Sequence, residues 1–244
     1  MNELLPRRDF DDGLSKGGRI FLWVYLFVHA VALPLGLNLL IQVLPEIAPS
    51  TAYINFIYYA FGAVLIFVVI RRAFRTGFDV LCDRPLTVTY AVLLGYMLIM
   101  ALTYLASLAV LIFPEELKNV DNLNNDSIMN MADSQYGITA AMAVFLAPLV
   151  EEPLFRAGVF GSVRKRSRVW AYVLSVGLFA LYHVWQYAVA FADPLYLLMA
   201  IEYIPAGVAL CWAYERTGSI WSPVFLHGLV NAMSLLALKA VRGQ

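Results

Sequence analysis

Long apolar runs separated by short polar segments dominate the chain. Each run could cross a bilayer core of about 30 Å as an α-helix rising 1.5 Å per residue. No recurrent alternation over segments of about ten residues is present, which argues against a barrel. The pattern predicts an all-α, polytopic membrane helix bundle of about seven transmembrane helices, with eight as the upper count. The seven runs are Ile20–Leu44, Tyr53–Ile70, Val88–Phe113, Gly137–Phe160, Trp170–Phe191, Leu195–Tyr214 and Pro223–Val241.

The segments between the runs predict simple connections. The polar stretch Arg75–Leu86 is expected to lie on the membrane surface, with its apolar side chains in the interface. The acidic, asparagine-rich stretch Pro114–Tyr136 is expected to be a loop. Ser222 and Pro223 are interpreted as the N-cap and first residue of the last helix.

The chain contains no internal repeat and no polar region long enough for a soluble domain. We therefore predict a single integral membrane domain over residues 1–244. The polar residues that form a pattern lie within residues 137–241, where we expect the catalytic core. Three peripheral transmembrane helices would precede this core.

Composition supports the membrane class, since 61% of the 244 residues are hydrophobic and only 14% are charged. A soluble domain of this length would not be so apolar. The expected surroundings are therefore a lipid bilayer, and no nucleic-acid partner is expected.

The distribution of positive charge predicts the topology. The N-terminal segment, the loops after the second and fourth runs, and the turn at Glu215-Arg216 together hold 13 of the 17 lysines and arginines. The segments between them hold one, Lys118. By the positive-inside rule the N-terminus is cytoplasmic. We expect an integral protein of a prokaryotic plasma membrane.

Two adjacent glutamates and an arginine interrupt the fourth apolar run. Ionisable groups in a membrane cost roughly a few kcal/mol each and usually face a bundle interior or a wet cavity. The side chains of Glu151 and Glu152 would diverge by about 100° on a helix, so they cannot share one role. Glu152 precedes Arg156 by four residues, the favourable order for an ion pair, which indicates a structural role for these two.

Glu151 is then the acid without a local counter-charge, and we predict a functional role for it. Pro148 and Pro153 remove backbone hydrogen bonds around it, as expected where a helix lines a cavity. Desolvation makes a carboxylate better suited to act as a general base near neutral pH.

Three further polar residues fit the same site. His227 and Asn231 are four residues apart, which places them on one helix face and suggests a shared polar target. Counted along their helices, Glu151, His183, His227 and Asn231 all fall near the membrane midplane or in its cytoplasmic half. Each alone could be an interhelical hydrogen bond, but the four together favour one cavity.

Other polar residues in the apolar runs have no patterned neighbour. We interpret His29, Asn38 and Asn55 as structural, whereas Glu202 is a candidate cavity residue. A non-enzymatic transporter or scaffold is the competing class, although a repeated pair of broken helices is not visible. The chain lacks a His-Glu-x-x-His helix and a Gly-x-Ser-x-Gly elbow.

Three motifs in order resemble those of the CPBP family, which includes type II CAAX prenyl proteases and bacteriocin-processing Abi proteins. Glu-Glu-x-x-x-Arg is matched by Glu151, Glu152 and Arg156. Phe-x-x-x-His is matched by Phe179 and His183, and His-x-x-x-Asn by His227 and Asn231. Each motif is weak alone, but three on successive apolar runs are specific.

The resemblance implies an intramembrane endopeptidase of the glutamate type, acting on a membrane-associated peptide or protein. It implies that Glu151 and His183 activate a water molecule and that His227 and Asn231 hold the oxyanion, without a cofactor or metal. Glu151, His183 and His227 also form a two-histidine, one-carboxylate set suited to zinc, so a zinc-dependent peptidase remains the alternative.

Overall fold

The computed structural model describes residues 13–43, 49–111 and 122–242. Arg7, Arg8 and Lys118, which entered the topology prediction, lie outside these residues, as do most of the acidic residues of the predicted loop. The described chain folds into eight helices without a strand. The helices are α1 (Lys16–Val43), α2 (Thr51–Val69), α3 (Arg71–Asp83), α4 (Pro85–Val110), α5 (Leu123–Arg164), α6 (Arg168–Ala190), α7 (Pro194–Thr217) and α8 (Trp221–Arg242).

The predicted all-α membrane bundle is confirmed. Six of the described helices, α1, α2, α4, α5, α6 and α7, contain segments long and apolar enough to cross a membrane. The seventh predicted span is a shorter apolar helix, Trp221–Ala237, within α8. The remaining helix, α3, is short and overlaps the polar stretch Arg75–Leu86 that was expected at the membrane surface. Many large apolar side chains on the outer faces of α1, α2 and α4 are exposed, as lipid contact requires.

The predicted loop Pro114–Tyr136 is wrong in its second half, where α5 already begins at Leu123. The side chain of Asn122 accepts a hydrogen bond from the backbone N–H of Asn125, at 3.1 Å, and so caps the helix. The backbone leaves helical geometry at Gln135. Asparagine-rich sequence suggested a loop, but this polar helix packs against α2 and borders a cavity.

The predicted start of the last helix is also displaced. The helix begins at Trp221, and the Ser219 hydroxyl accepts the hydrogen bond from the Trp221 backbone N–H at 3.3 Å. Ser222 instead donates its hydroxyl to the Thr217 hydroxyl at 2.8 Å. Between the two helices, Gly218 has φ +69°, the left-handed conformation that ends α7.

The second half of α5 lies at the centre of the bundle. All eight residues of its segment Pro153–Phe160 are buried, and α1, α6 and α7 pack around this segment. Arg156 is the largest of the fully buried side chains. The helices that surround α5 thereby carry their own polar side chains to the glutamate pair.

One buried carboxylate joins three helices at the end of the bundle that is rich in arginine. Glu215 on α7 accepts hydrogen bonds from Arg164 at the end of α5 and from Arg168 and Tyr172 at the start of α6. The Arg168 Nη2 and Tyr172 Oη atoms each lie 2.9 Å from its Oε2. These bonds fix the ends of α5, α6 and α7 relative to one another on the face predicted to be cytoplasmic.

Candidate active site

The glutamate pair lies on a short α-helical stretch, Ala147–Glu152, between two π-helical segments of α5. The first is Met142–Leu146 and the second is Pro153–Phe160. π-Helical turns inside α-helices are frequent at functional sites. Pro148 is the second residue of the α-helical stretch, and Pro153 is the first residue of the second π-helical segment. Neither has a backbone N–H to donate, which favours this departure from regular α-helical hydrogen bonding.

Glu152 makes the ion pair that the spacing predicted. Its Oε2 lies 3.0 Å from the Arg156 Nε, and both side chains are fully buried. The guanidinium carbon of Arg156 lies 4.5 Å from the ring centroid of Phe179, and its Nη1 donates to the Ser175 hydroxyl. Phe179 therefore covers the cation as well as preceding His183 in its motif.

Glu152 also contacts one of the predicted catalytic residues, His227. Its second oxygen, Oε1, lies 2.7 Å from Nδ1 of His227. The two residues come from α5 and α8 and are 75 positions apart, so local spacing gave no sign of the contact. One carboxylate thus holds Arg156 with one oxygen and orients His227 with the other.

The two carboxylate oxygens of Glu151 have different surroundings. Its Oε1 accepts a hydrogen bond from the Tyr59 hydroxyl at 2.9 Å. Its Oε2 lies 3.7 Å from Nε2 of His183 and 4.0 Å from Nε2 of His227. These separations exceed a hydrogen-bond distance, so Oε2 faces both imidazoles without bonding to either.

The partners of the two imidazoles determine which ring nitrogen carries hydrogen. Nδ1 of His183 lies 2.8 Å from the Phe179 carbonyl oxygen, which can only accept. Nδ1 of His227 lies against the Glu152 carboxylate, which also accepts when ionised. In the neutral rings both Nδ1 atoms therefore donate, and both Nε2 atoms present lone pairs toward Glu151. The His183 ring also stacks on Tyr203, with centroids 4.3 Å apart.

Asn231 lies one turn beyond His227 on α8. Its Nδ2 donates to the carbonyl oxygen of Ala143, in the first π-helical segment of α5, at 2.7 Å. One amide hydrogen is thereby used and the second remains. Gly228 permits the approach of α8 to α5, because a Cβ at this position would lie 2.7 Å from the Val144 carbonyl oxygen.

The structure brings the four predicted catalytic residues to one cavity. Glu151, His183, His227 and Asn231 all line a space of about 690 Å³, which is also bordered by α1, α2 and the first part of α5. A second cavity of about 760 Å³ reaches His183, His227 and Asn231 from the side of α4 and α7. Glu202, the candidate cavity residue, borders this second cavity and accepts a hydrogen bond from Asn122.

Several tyrosines at the site were missed by sequence reasoning. Tyr59 and Tyr182 contact each other beside Glu151, and Tyr203 stacks on His183. A tyrosine counts as a hydrophobic residue in an apolar run, so the hydrophobic pattern does not reveal its hydroxyl group. No local signal pointed to these tyrosines, because neighbouring residues of a helix diverge by about 100°.

Zinc is the metal that the donor set suggests. Neighbouring ligands of a tetrahedral zinc ion lie about 3.4 Å apart, given zinc–nitrogen and zinc–oxygen bonds of about 2.1 Å. The separations of 3.7 and 4.0 Å between Glu151 and the imidazoles are longer. Among the residues that the structure describes, no group of three or more His, Cys, Asp or Glu side chains is placed to hold a metal ion. The donor types fit zinc, but their spacing does not.

Comparison with known proteins finds similarity over the stretch of the chain that carries the three motifs. Residues 134–233 match the family model described as "Type II CAAX prenyl endopeptidase Rce1-like". A Bacillus subtilis (strain 168) protein named "Putative membrane peptidase YdiL" is 29% identical over 99 residues. That alignment covers 40% of this chain and 36% of the relative, so the chain spans about a third of the relative's length. No solved structure matches the chain significantly.

The matched residues include all four predicted catalytic residues and the Glu152–Arg156 pair. The predicted resemblance to the CPBP family is therefore confirmed over this stretch of the chain. Over residues 134–233, 100 of its 244 residues, the chain is similar to the Rce1-like type II CAAX prenyl endopeptidases.

Proposed function

We propose that the chain is an intramembrane endopeptidase of the glutamate type, which hydrolyses a peptide bond of a membrane-associated peptide or protein. The observation that carries the proposal is the arrangement of Glu151. One of its oxygens is held by Tyr59, and the other faces the Nε2 atoms of His183 and His227 beside a cavity. A water molecule between Glu151 and His183 would donate one hydrogen to each.

In the first step the water oxygen attacks the scissile carbonyl carbon as Oε2 of Glu151 takes a proton from the water. The carbonyl π-electrons move to its oxygen, which becomes the oxyanion of a tetrahedral intermediate. In the second step the carbon–nitrogen bond breaks, and Glu151 returns the proton to the leaving amine. General acid–base catalysis of this kind contributes about 10²- to 10⁴-fold in rate.

His227 and Asn231 would stabilise the oxyanion. Asn231 has its second amide hydrogen for this purpose, since the first is bonded to Ala143. His227 must carry a proton on Nε2 to donate. The Glu152 carboxylate on Nδ1 would support this imidazolium, as the aspartate of a serine-protease triad supports its histidine. Donors already in place where charge develops stabilise the transition state most.

The proposed setting is the membrane of a prokaryotic cell, with the N-terminus in the cytoplasm. No nucleic acid or cofactor is part of the proposal. The first cavity reaches Glu151 from the side of α2, and the second reaches His183, His227 and Asn231 from the side of α4. The substrate would therefore have two routes to the site. The substrate would be a chain that is itself held at the bilayer, since the site lies between membrane-spanning helices.

The test compares membranes from cells that carry the wild-type protein and the Glu151→Gln variant. Mass spectrometry of protein N-termini should find new termini with the wild type, and the corresponding uncleaved peptides should accumulate with the variant. Equal insertion of both proteins must be verified by immunoblot. Identical sets of termini would refute the peptidase proposal and favour the non-enzymatic transporter or scaffold.

A zinc-dependent peptidase that uses Glu151, His183 and His227 is the second candidate. The observation in its favour is that both imidazoles turn Nε2 lone pairs toward the carboxylate, which is the state that a metal ligand needs. In that case these three residues would hold the ion, and its contribution would be Lewis-acid chemistry at the scissile peptide bond. The long nitrogen–oxygen separations favour the glutamate mechanism.

A further inference from the structure

A row of hydrogen bonds leads from Glu151 to a histidine on α1. The Tyr59 hydroxyl donates to Oε1 of Glu151 at 2.9 Å, and the Tyr59 and Tyr182 hydroxyl oxygens are 2.8 Å apart. The Tyr182 oxygen lies 3.3 Å from Nε2 of His29. Helices α1, α2 and α6 thus each contribute one side chain to this row, which ends at a carboxylate of α5.

The number of hydrogens fixes the direction of the row. An ionised carboxylate only accepts, so Tyr59 uses its single hydroxyl hydrogen on Glu151. Tyr59 must then accept from Tyr182, whose own hydrogen is used in turn. The contact between Tyr182 and His29 therefore requires that Nε2 of His29 carries hydrogen and donates. Every bond in the row points its hydrogen toward the carboxylate.

The surroundings of His29 fit this assignment. Its side chain is fully buried, within the π-helical segment Val28–Ala32 of α1. Tyr58 stacks on the ring, with centroids 4.2 Å apart, and donates its hydroxyl to the backbone carbonyl of His29. The other ring nitrogen, Nδ1, has no hydrogen-bond partner among the residues that the structure describes. A bare lone pair there is less costly than a buried N–H without an acceptor.

We propose that His29, Tyr182 and Tyr59 are positioning residues that hold Oε1 of Glu151 and leave Oε2 as the oxygen that acts on water. Hydrogen bonds that point the same way polarise one another, so the row also stabilises the ionised carboxylate. The effect of the row on turnover rests on the proposed peptidase function, whereas the hydrogen bonds of the row do not. The row gives a positioning role to α1 and α2, two of the three helices that the sequence placed at the periphery.

The direction of the row makes a spectroscopic prediction. The chain has three histidines, so nitrogen NMR of full-length protein with ¹⁵N-labelled histidine, in lipid nanodiscs, can assign each ring by single substitution. His29 should have its hydrogen on Nε2, whereas His183 should have its hydrogen on Nδ1. In Tyr59→Phe, Tyr182 is free to donate to His29, and the His29 signals should shift toward a mixture of the two tautomers.

Tyr172→Phe is the matched control. It also removes a partly buried hydroxyl that donates to a carboxylate at 2.9 Å, but Tyr172 lies at the other end of α6 and its acceptor is Glu215. This control should leave all three histidine spectra unchanged. A wild-type His29 with hydrogen on Nδ1, or His29 signals that do not respond to Tyr59→Phe, would overturn the proposal. These spectra do not depend on turnover. They therefore test the direction of the hydrogen bonds in the row even if Glu151→Gln shows no loss of cleavage.

Cleavage of a peptide identified by the N-terminal comparison tests the consequence. Tyr59→Phe should lower kcat by about 10- to 100-fold, the equivalent of one hydrogen bond to a charged group, with little change in KM. His29→Gln keeps an N–H that can donate to Tyr182, so it should retain more turnover than His29→Leu. Unchanged kcat in Tyr59→Phe, or equal losses in the two His29 variants, would contradict a positioning role.

Discussion

Nδ1 of His227 lies 2.7 Å from Oε1 of Glu152, so the glutamate of the structural ion pair also holds a predicted catalytic residue. This contact changes the expected behaviour of the two neighbouring glutamates. The spacing of Glu152 to Arg156 predicted a role in stability alone. In the structure Glu152 also orients His227, so its substitution should affect turnover as well.

Glu152→Gln should therefore lower both stability and turnover. The loss of its charge leaves Arg156 buried without a counter-ion, which is expected to cost about 3–5 kcal/mol in the free energy of unfolding. Glu151→Gln should chiefly lower turnover, by roughly 10²- to 10⁴-fold, and leave the unfolding temperature near that of the wild type. Thermal unfolding in detergent and cleavage assays on both variants measure the two effects. If the variants exchange these behaviours, Glu152 is the base.

Substitution of Asn231 tests whether its side chain is an oxyanion donor or only a packing residue. Asn231→Ala should lower kcat by about 100- to 1,000-fold, with little change in KM, if its amide meets charge only in the transition state. Loss of the bond to Ala143 alone would cost only about 1 kcal/mol of stability. The double variant with His227→Ala should be less than additive if both donors serve one oxygen.

Asn231→Asp tests the same role by changing the charge of the side chain rather than its size. It keeps the size of the side chain but places a carboxylate oxygen against the Ala143 carbonyl and against the developing oxyanion. The variant should be at least as inactive as Asn231→Ala at neutral pH, measured on the same peptide. Full activity in Asn231→Asp would remove Asn231 from the site.

Gly228→Ala tests the close packing of α8 on α5. The added Cβ would lie 2.7 Å from the Val144 backbone oxygen, so one helix must move. We expect a loss of about 1–3 kcal/mol in the free energy of unfolding, the usual cost of overpacking. Gly177→Ala on α6 is the control, because its Cβ meets no atom within 4 Å. It should be neutral or slightly stabilising, and an equal loss in both variants would contradict the close approach.

Metal content separates the glutamate mechanism from the zinc alternative. Purified protein should contain far less than one zinc ion per chain by elemental analysis, and it should keep its activity after strong chelation. A stoichiometric ion lost together with activity, and activity restored by zinc, would establish the metallopeptidase.

The positive-inside pattern predicts the orientation of the bundle. Reporter fusions at Arg166 should read as cytoplasmic and fusions at Asn124 as extracytoplasmic, because the basic residues cluster at the Arg166 end. The opposite result would place the site nearer the other membrane face.

The helices and the convergence of Glu151, His183, His227 and Asn231 could be predicted because both depend on local signals. A membrane helix needs only a long apolar run, and each ionisable residue within such a run is expensive enough to require a purpose. The contacts of Tyr59 with Glu151 and of Glu152 with His227 could not be predicted. They depend on which helices become neighbours and on how each is rotated, and a single apolar run does not encode either.

The π-helical segments of α5 also decide how the chain tolerates change in length. A π-helical turn holds one more residue than an α-helical turn, and the glutamate pair lies between two such segments. Deletion of one residue from Met142–Leu146 would let that turn relax to ordinary α-helix, and Glu151 would keep its direction relative to the preceding part of α5. Deletion of one residue from the α-helical part of α5 before Met142 has no extra residue to remove, so it would rotate that part relative to the glutamate pair by about 100°.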